Sequence, residues 1–131
     1  MYYLKKNILN KLIEWTLAER PNEAAGYLFV ENSIFKKIIT GNHSVGHFID
    51  DNLSQLVVWI EKYGAPSAIF HSHPCQAIPS GMDYIYMKNT IPLFRCVWLI
   101  MSDMMKLRAW SIRIDLSGNI FGIVEVEVCI N

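Results

Sequence analysis

Two of the chain's four histidines, His71 and His73, flank a single serine in the stretch FHSHPCQAIPSGMD, residues 70–83. The segment PSAIFHSH reads as a strand, and in a strand residues two apart project from the same face. His71 and His73 therefore converge while Ser72 points away. Imidazole is the commonest zinc ligand, and a catalytic zinc generally takes three protein ligands and leaves its fourth position to water. Asp83 is the candidate third ligand, because the loop from Pro74 to Pro79 is long enough for the chain to turn back and start a helix beside the strand end. The same Ser80-x-x-Asp83 also reads as a capping box, with Ser80 capping the helix and Asp83 at its third position. The two readings are compatible, since a first-turn acid can face the backbone or a metal.

Hydrolysis of an amide at such a metal also needs a group that takes the proton of water and returns it to the leaving amine. Glu23, in RPNEAAGYLF at the entrance to the first strand, is the candidate. Ala24, Ala25 and Gly26 follow it and would let another element approach closely. In isolation a glutamate there reads more readily as a solvated turn residue, since most glutamates are exposed. Cys75 lies two residues beyond His73 and is either a further ligand in an inactive form or an inert, partly buried loop thiol. His43 and His47 stand in a polar loop, where a second metal site competes with ordinary surface hydrogen bonding. Met82, Tyr84, Tyr86 and Met87 could line a peptide groove or pack as core and rim.

These residues need elements to position them. From Asn7 to about Glu19, Ile8, Leu9, Leu12, Ile13 and Leu17 recur at helical spacing, and the helix ends near Pro21. Strands follow over residues 24–32 and 33–41, joined by a turn at Glu31, Asn32 and Ser33. A second helix begins at Asp50, Asp51 or Asn52 as N-cap and ends at Gly64, with Leu53, Leu56, Val57 and Ile60 as its buried face. After the histidine strand, SGMDYIYMKNT makes a third helix, and FRCVWLIMS is the continuous apolar run of a strand covered on both sides. KLRAWSIRI and GIVEVEVCI close the chain as strands around the turn DLSGN. The order predicts an α/β domain, one mixed sheet flanked by helices, with Trp15, Trp59, Trp98 and Trp110 in its core.

At 131 residues, 52% of them apolar and 18% charged, the chain has enough material for one core, so residues 1–131 read as a single domain. Twelve basic residues balance twelve acidic ones in scattered positions, which is no footprint for a nucleic-acid backbone. No apolar run reaches membrane-spanning length and no signal peptide is recognisable. Three cysteines with no C-x-x-C spacing suit a reducing compartment, so the expectation is a soluble cytoplasmic protein. Nucleobase deaminases use H-x-E and P-C-x-x-C, and this chain has neither.

Glu23, His71-Ser72-His73-Pro74 and Ser80-Gly81-Met82-Asp83 together resemble the motif of the JAMM, or MPN-domain (Mov34-type), zinc metalloproteases. The likeness extends over nearly the whole chain, including the E-x-x-G lead into a strand and the FID before a helix. It implies a fold related to cytidine deaminases and hydrolysis at the C-terminal tail of a ubiquitin-like or sulfur-carrier protein. By the same resemblance His71, His73 and Asp83 would bind Zn2+, Glu23 would be the general acid/base and Ser80 would help to stabilise the oxyanion. The absence of long insertions looks like the compact prokaryotic type, and Ala25 stands where many such relatives carry cysteine. The loop from His73 to Ser80 is one residue shorter than the family spacing. This keeps open an alternative, a non-catalytic scaffold of the same fold that binds a ubiquitin-like protein. A homodimer is compatible with either.

Overall fold

The computed structural model describes residues 1–38, 53–90 and 96–131, apart from the side chains of Thr90, Ile120 and Phe121. In chain order the elements are β1 (Tyr2–Leu4), α1 (Lys6–Glu19), β2 (Ala25–Phe29), β3 (Ile34–Lys37), α2 (Leu53–Tyr63), β4 (Ala68–Ser72), α3 (Gly81–Thr90), β5 (Val97–Met101), β6 (Leu107–Ile114), β7 (Ile120–Val126) and β8 (Val128–Ile130). The main sheet has six strands in the order β3-β2-β4-β5-β6-β7. β4 and β5 run parallel at its centre, and the other neighbours are antiparallel.

Period-2 alternation along the central strands sorts their side chains into two cores. Leu28, Phe70, Leu99 and Met101 face α1, where they meet Ile8 and Leu12. Tyr27, Phe29, Ile69 and Trp98 face the other way and meet Leu56 of α2 and Met87 of α3. Each such side chain fully buried contributes about 1.5–3 kcal/mol, so both faces of β4 and β5 are firmly held. This is the flanked mixed sheet that the sequence predicts. Gly64 ends α2 as predicted, with φ +86° and its N–H donating to Ile60 O at 2.8 Å.

Several local expectations are corrected. Leu17 is exposed, and the inward line of α1 is Ile8, Leu12 and Thr16, whose hydroxyl donates to Leu12 O at 2.8 Å. Leu53 and Val57 are exposed too, because α2 turns Leu56, Ile60, Trp59 and Tyr63 toward the sheet instead. The last predicted strand breaks at Glu127. Its final residues leave the main sheet and pair in parallel with the N-terminal β1, as Tyr2↔Val128 and Leu4↔Ile130. Of the four tryptophans only Trp98 is fully buried; Trp15, Trp59 and Trp110 are half-buried at the edges of the cores. His43, His47 and the proposed caps Asp50, Asp51 and Asn52 lie outside the described residues.

Candidate metal centre

Strand register brings Glu23 to the histidines. β2 and β4 are antiparallel with Ala25 opposite His71. Ser72 N donates to Ala24 O at 2.9 Å, and Ala24 N donates to Ser72 Oγ at 2.8 Å. Two residues before Ala25 and two after His71, on the same face, Glu23 meets His73. On its other side β2 meets β3, and Gly26 allows that close approach, since a Cβ there would lie 2.4 Å from Phe35 Cε1 and 2.6 Å from Lys36 O. The small residues after Glu23 thus do the work their sizes suggest.

His71 Nε2 and His73 Nε2 are 3.0 Å apart. Asp83 reaches both from the first turn of α3, with Oδ1 3.0 Å from His71 Nε2 and Oδ2 3.0 Å from His73 Nε2. Glu23, His71 and His73 each offer a ligand atom within 4.8 Å of the others. All four residues are buried. His73 Nδ1 lies 3.1 Å from Gln76 O and donates to it, which leaves Nε2 as the lone-pair nitrogen unless a second proton is bound. Two imidazole nitrogens and a carboxylate thus point into one small volume with too few protons to bond them all.

Burial pushes the His71 imidazole down, more than the Asp83 carboxylate lifts it. Burial acts the same way on His73, but there the bond to Asp83, the charge of Glu23 and the Gln76 carbonyl together raise it above the ordinary value. The shared proton therefore belongs on His73. Burial alone would raise Asp83, yet its bonds to the two histidines and the Ser80 N–H hold it well below the carboxylate range. Glu23 is pushed up to about 7, first by burial, then by the negative charge of Asp83, with His73 working against both. Its Oε2 is buried and has no hydrogen-bond partner among the described residues.

The donor set fits zinc. Tetrahedral zinc with bonds of about 2.0–2.1 Å holds neighbouring donor atoms about 3.3 Å apart. The 3.0 Å separations among His71, His73 and Asp83 need to open by only about 0.3 Å to meet that geometry. A cation there would replace the shared proton and satisfy all three donors.

The capping box is also real. Ser80 N donates to Asp83 Oδ2 at 2.8 Å and Asp83 N donates to Ser80 Oγ at 3.1 Å. Asp83 thus caps the helix and faces the histidines at once. Ser80 is exposed, and its hydroxyl accepts in this box, so its proton is left to donate elsewhere. At its shortened length the loop still delivers Asp83 to within 3.0 Å of both histidines.

What holds that loop was not evident from sequence. Three successive carbonyls are each tied down: Cys75 O accepts from Asp103 N at 3.0 Å, Gln76 O from His73 Nδ1, and Ala77 O from Trp110 Nε1 at 3.0 Å. Ala77 is itself buried. Trp98 adds an edge contact to His71, with ring centroids 6.1 Å apart. A tryptophan on β6 carries no local signal that it serves a loop thirty residues away. Cys75, expected to be partly buried, is exposed. The cluster on α3 divides: Met87 is buried and Tyr86 packs on Trp98, while Met82 and Tyr84 are exposed.

A mixed sheet with one helix on one face and two on the other, its metal-type donors gathered at the end of a central strand, is the architecture of JAB/MPN domains. The chain belongs to the prokaryotic homologs of the JAB domain, whose family profile matches residues 5–113. Among solved structures it is similar to a protein from Desulfitobacterium hafniense, at 23% identity and a TM-score of 0.74, over 100% of this chain and 93% of that one. It also resembles a structure described as JAMM, a metalloprotease-like zinc site in the proteasome and signalosome, at 14% identity and a TM-score of 0.57, covering 100% and 98% of the two chains. A JAB1/MPN domain protein from Archaeoglobus fulgidus matches at 16% identity and a TM-score of 0.56, covering 98% and 97%. No curated protein matches. At these identities the likeness establishes the fold. Among the described residues no helix is long and apolar enough to cross a membrane.

Proposed function

We propose that this protein is a zinc-dependent isopeptidase or peptidase that cuts at the C-terminal tail of a ubiquitin-like or sulfur-carrier protein in the cytoplasm. The observation that carries the reading is the convergence of His71, His73 and Asp83 at 3.0 Å beside a buried carboxyl raised to about 7. His71, His73 and Asp83 would hold the ion. Zinc in that position supplies Lewis acidity, making water easier to deprotonate and the scissile carbonyl easier to attack.

The chain's own groups do the rest. Glu23 takes a proton from the attacking water as its oxygen bonds to the carbonyl carbon. It then delivers that proton to the nitrogen as the C–N bond breaks, giving a carboxylic acid on the tail and a free amine. A general acid/base is most effective when its pKa lies near the working pH, which is what burial achieves for Glu23. Ser80 donates its free O–H to the oxyanion developing on the carbonyl, while its Oγ keeps the bond from Asp83 N. An extended tail added as a strand beside the site is a common mode of peptide recognition.

The scaffold alternative rests on loop length alone. The test is to reconstitute the protein with zinc and incubate it with fusions to ubiquitin-like and sulfur-carrier tails, reading cleavage by intact mass. Cleavage by the native protein, with none by a Glu23→Gln variant that retains zinc, is the expected result. Near-normal turnover by that variant would refute the mechanism.

A further inference from the structure

The loop between His73 and Ser80 is tied to β6 by Trp110, whose indole Nε1 donates to Ala77 O at 3.0 Å. Trp110 stands on the same face of the sheet as the histidines. Strand register runs His71↔Ile100↔Arg108 across that face, with Trp98↔Trp110↔Glu125 in the next row. Arg108 stacks on the indole, its guanidinium carbon 4.9 Å from the ring centroid. It also grips Glu125 through two bonds, Nε to Oε2 at 2.6 Å and Nη2 to Oε1 at 2.7 Å, which fixes the guanidinium plane against the ring. The mechanism gives Arg108, Trp110 and Glu125 no task.

We infer that Trp110 is a positioning residue of the metal centre: by fixing the Ala77 carbonyl, with Arg108 and Glu125 as its brace, it sets the direction in which Asp83 presents oxygen to the ion. The inference rests on the metal-site reading and not on hydrolysis. The path between the two ends is stiff by sequence. Only Ile78 and Pro79 separate Ala77 from Ser80. The proline ring locks its own φ and disfavours helical backbone at Ile78 before it, so a displacement at Ala77 reaches Ser80 rather than being absorbed on the way. Ser80 N donates to Asp83 Oδ2 at 2.8 Å, and that same oxygen lies 3.0 Å from His73 Nε2. The relay therefore ends on a donor atom of the site. Ala77 is buried, and without the indole N–H the loop must shift for its carbonyl to regain a partner. A tryptophan that served the fold alone would have no such line to a ligand.

The experiment measures zinc affinity by competition with a chromophoric chelator, for the native protein and three variants. Trp110→Phe keeps an aromatic ring beneath Arg108 but has no N–H. Glu125→Ala removes the brace from the surface. Ile8→Val lowers stability from the core on the opposite face of the sheet, away from the loop. Outer partners of metal ligands commonly govern ten- to hundredfold of metal affinity, so Trp110→Phe should bind zinc about tenfold more weakly than the native protein, with Ile8→Val within about twofold of it. Glu125→Ala should move the affinity in the same direction by less. Should the phenylalanine variant fail to fold, benzothienylalanine at position 110, which has the shape of tryptophan with sulfur in place of the N–H, carries the same expectation. Native zinc affinity in the protein lacking the N–H overturns the inference and leaves the metal-site reading standing. Equal weakening by Ile8→Val also overturns it, since the effect would then be general destabilisation. An unchanged Glu125→Ala strikes the brace from it. A native protein that takes up no zinc overturns the metal-site reading, and this inference with it.

Discussion

Replacing Glu23 by glutamine should stabilise the metal-free protein at alkaline pH while removing its activity. The carboxyl is 2% exposed, and burial, reinforced by Asp83 and opposed by His73, lifts it from 4.5 to about 7. A folded-state value above the unfolded one means that the native protein holds this proton more tightly. The associated stability is complete below about pH 4.5 and is lost as pH rises through about 7. At 1.36 kcal/mol per unit the ceiling is about 3 kcal/mol, and partial solvent screening brings the expected effect to about 1–2 kcal/mol. For a domain of this size that corresponds to about 4–8 °C in Tm. Glutamine has the shape of the protonated acid and cannot ionise. Thermal melts in chelator should therefore show Glu23→Gln close to the native protein at pH 5 and several degrees above it at pH 8.5. Zinc-loaded turnover should fall by about 10²–10⁴, the usual contribution of a general acid/base. Parallel Tm-versus-pH curves for the two proteins would refute the buried, unpartnered carboxyl on which the reasoning depends.

Asp83→Asn keeps an oxygen for the Ser80 N–H but removes the charge facing both histidines; elemental analysis should find less than about a tenth of native zinc, and the metal-free protein should lose about 1–3 kcal/mol at neutral pH because the buried imidazoles lose their charged partner. Ser80→Ala deletes the oxyanion donor and the cap together, so kcat should drop by about 10²–10³ with KM little changed, and denaturant melts should record a loss of about 0.5–2 kcal/mol. Zinc must displace the proton on His73, whose pKa lies above 6.5. Calorimetry at pH 6 in buffers of different ionisation enthalpy should then show about one proton released per zinc, and no release would mean that His73 is not the protonated partner. Gly26→Ala forces a methyl against Phe35 and the Lys36 carbonyl; a loss of about 1–3 kcal/mol, or failure to fold, is expected in denaturant titrations.

Much of the centre was legible because its rules are local. The strand period places His71 and His73 on one face, and the Ser80-x-x-Asp83 box forms as its spacing suggests. Period likewise identifies α1, the buried run of β5, and the glycine that ends α2. The misreadings lie where period was ambiguous or pairing was remote. Leu17 and Val57 fit a helical stripe on paper, but the angle at which each helix meets the sheet selects Thr16 and Trp59 instead. A three-residue strand at the N-terminus is too short to show any period, and its partner β8 lies at the other end of the chain.

The sequence by itself determined which groups are available and which of them share a face, since donor chemistry belongs to the residue and alternation to the strand. Only the tertiary structure decided that Ala25 stands opposite His71. That register carries Glu23 to His73 and buries it, raising its pKa. Packing alone decided that Trp110, Asp103 and His73 hold the short loop. Register, burial and such clamps arise from contacts between segments far apart in the chain, and their energies depend on neighbours that no local pattern specifies.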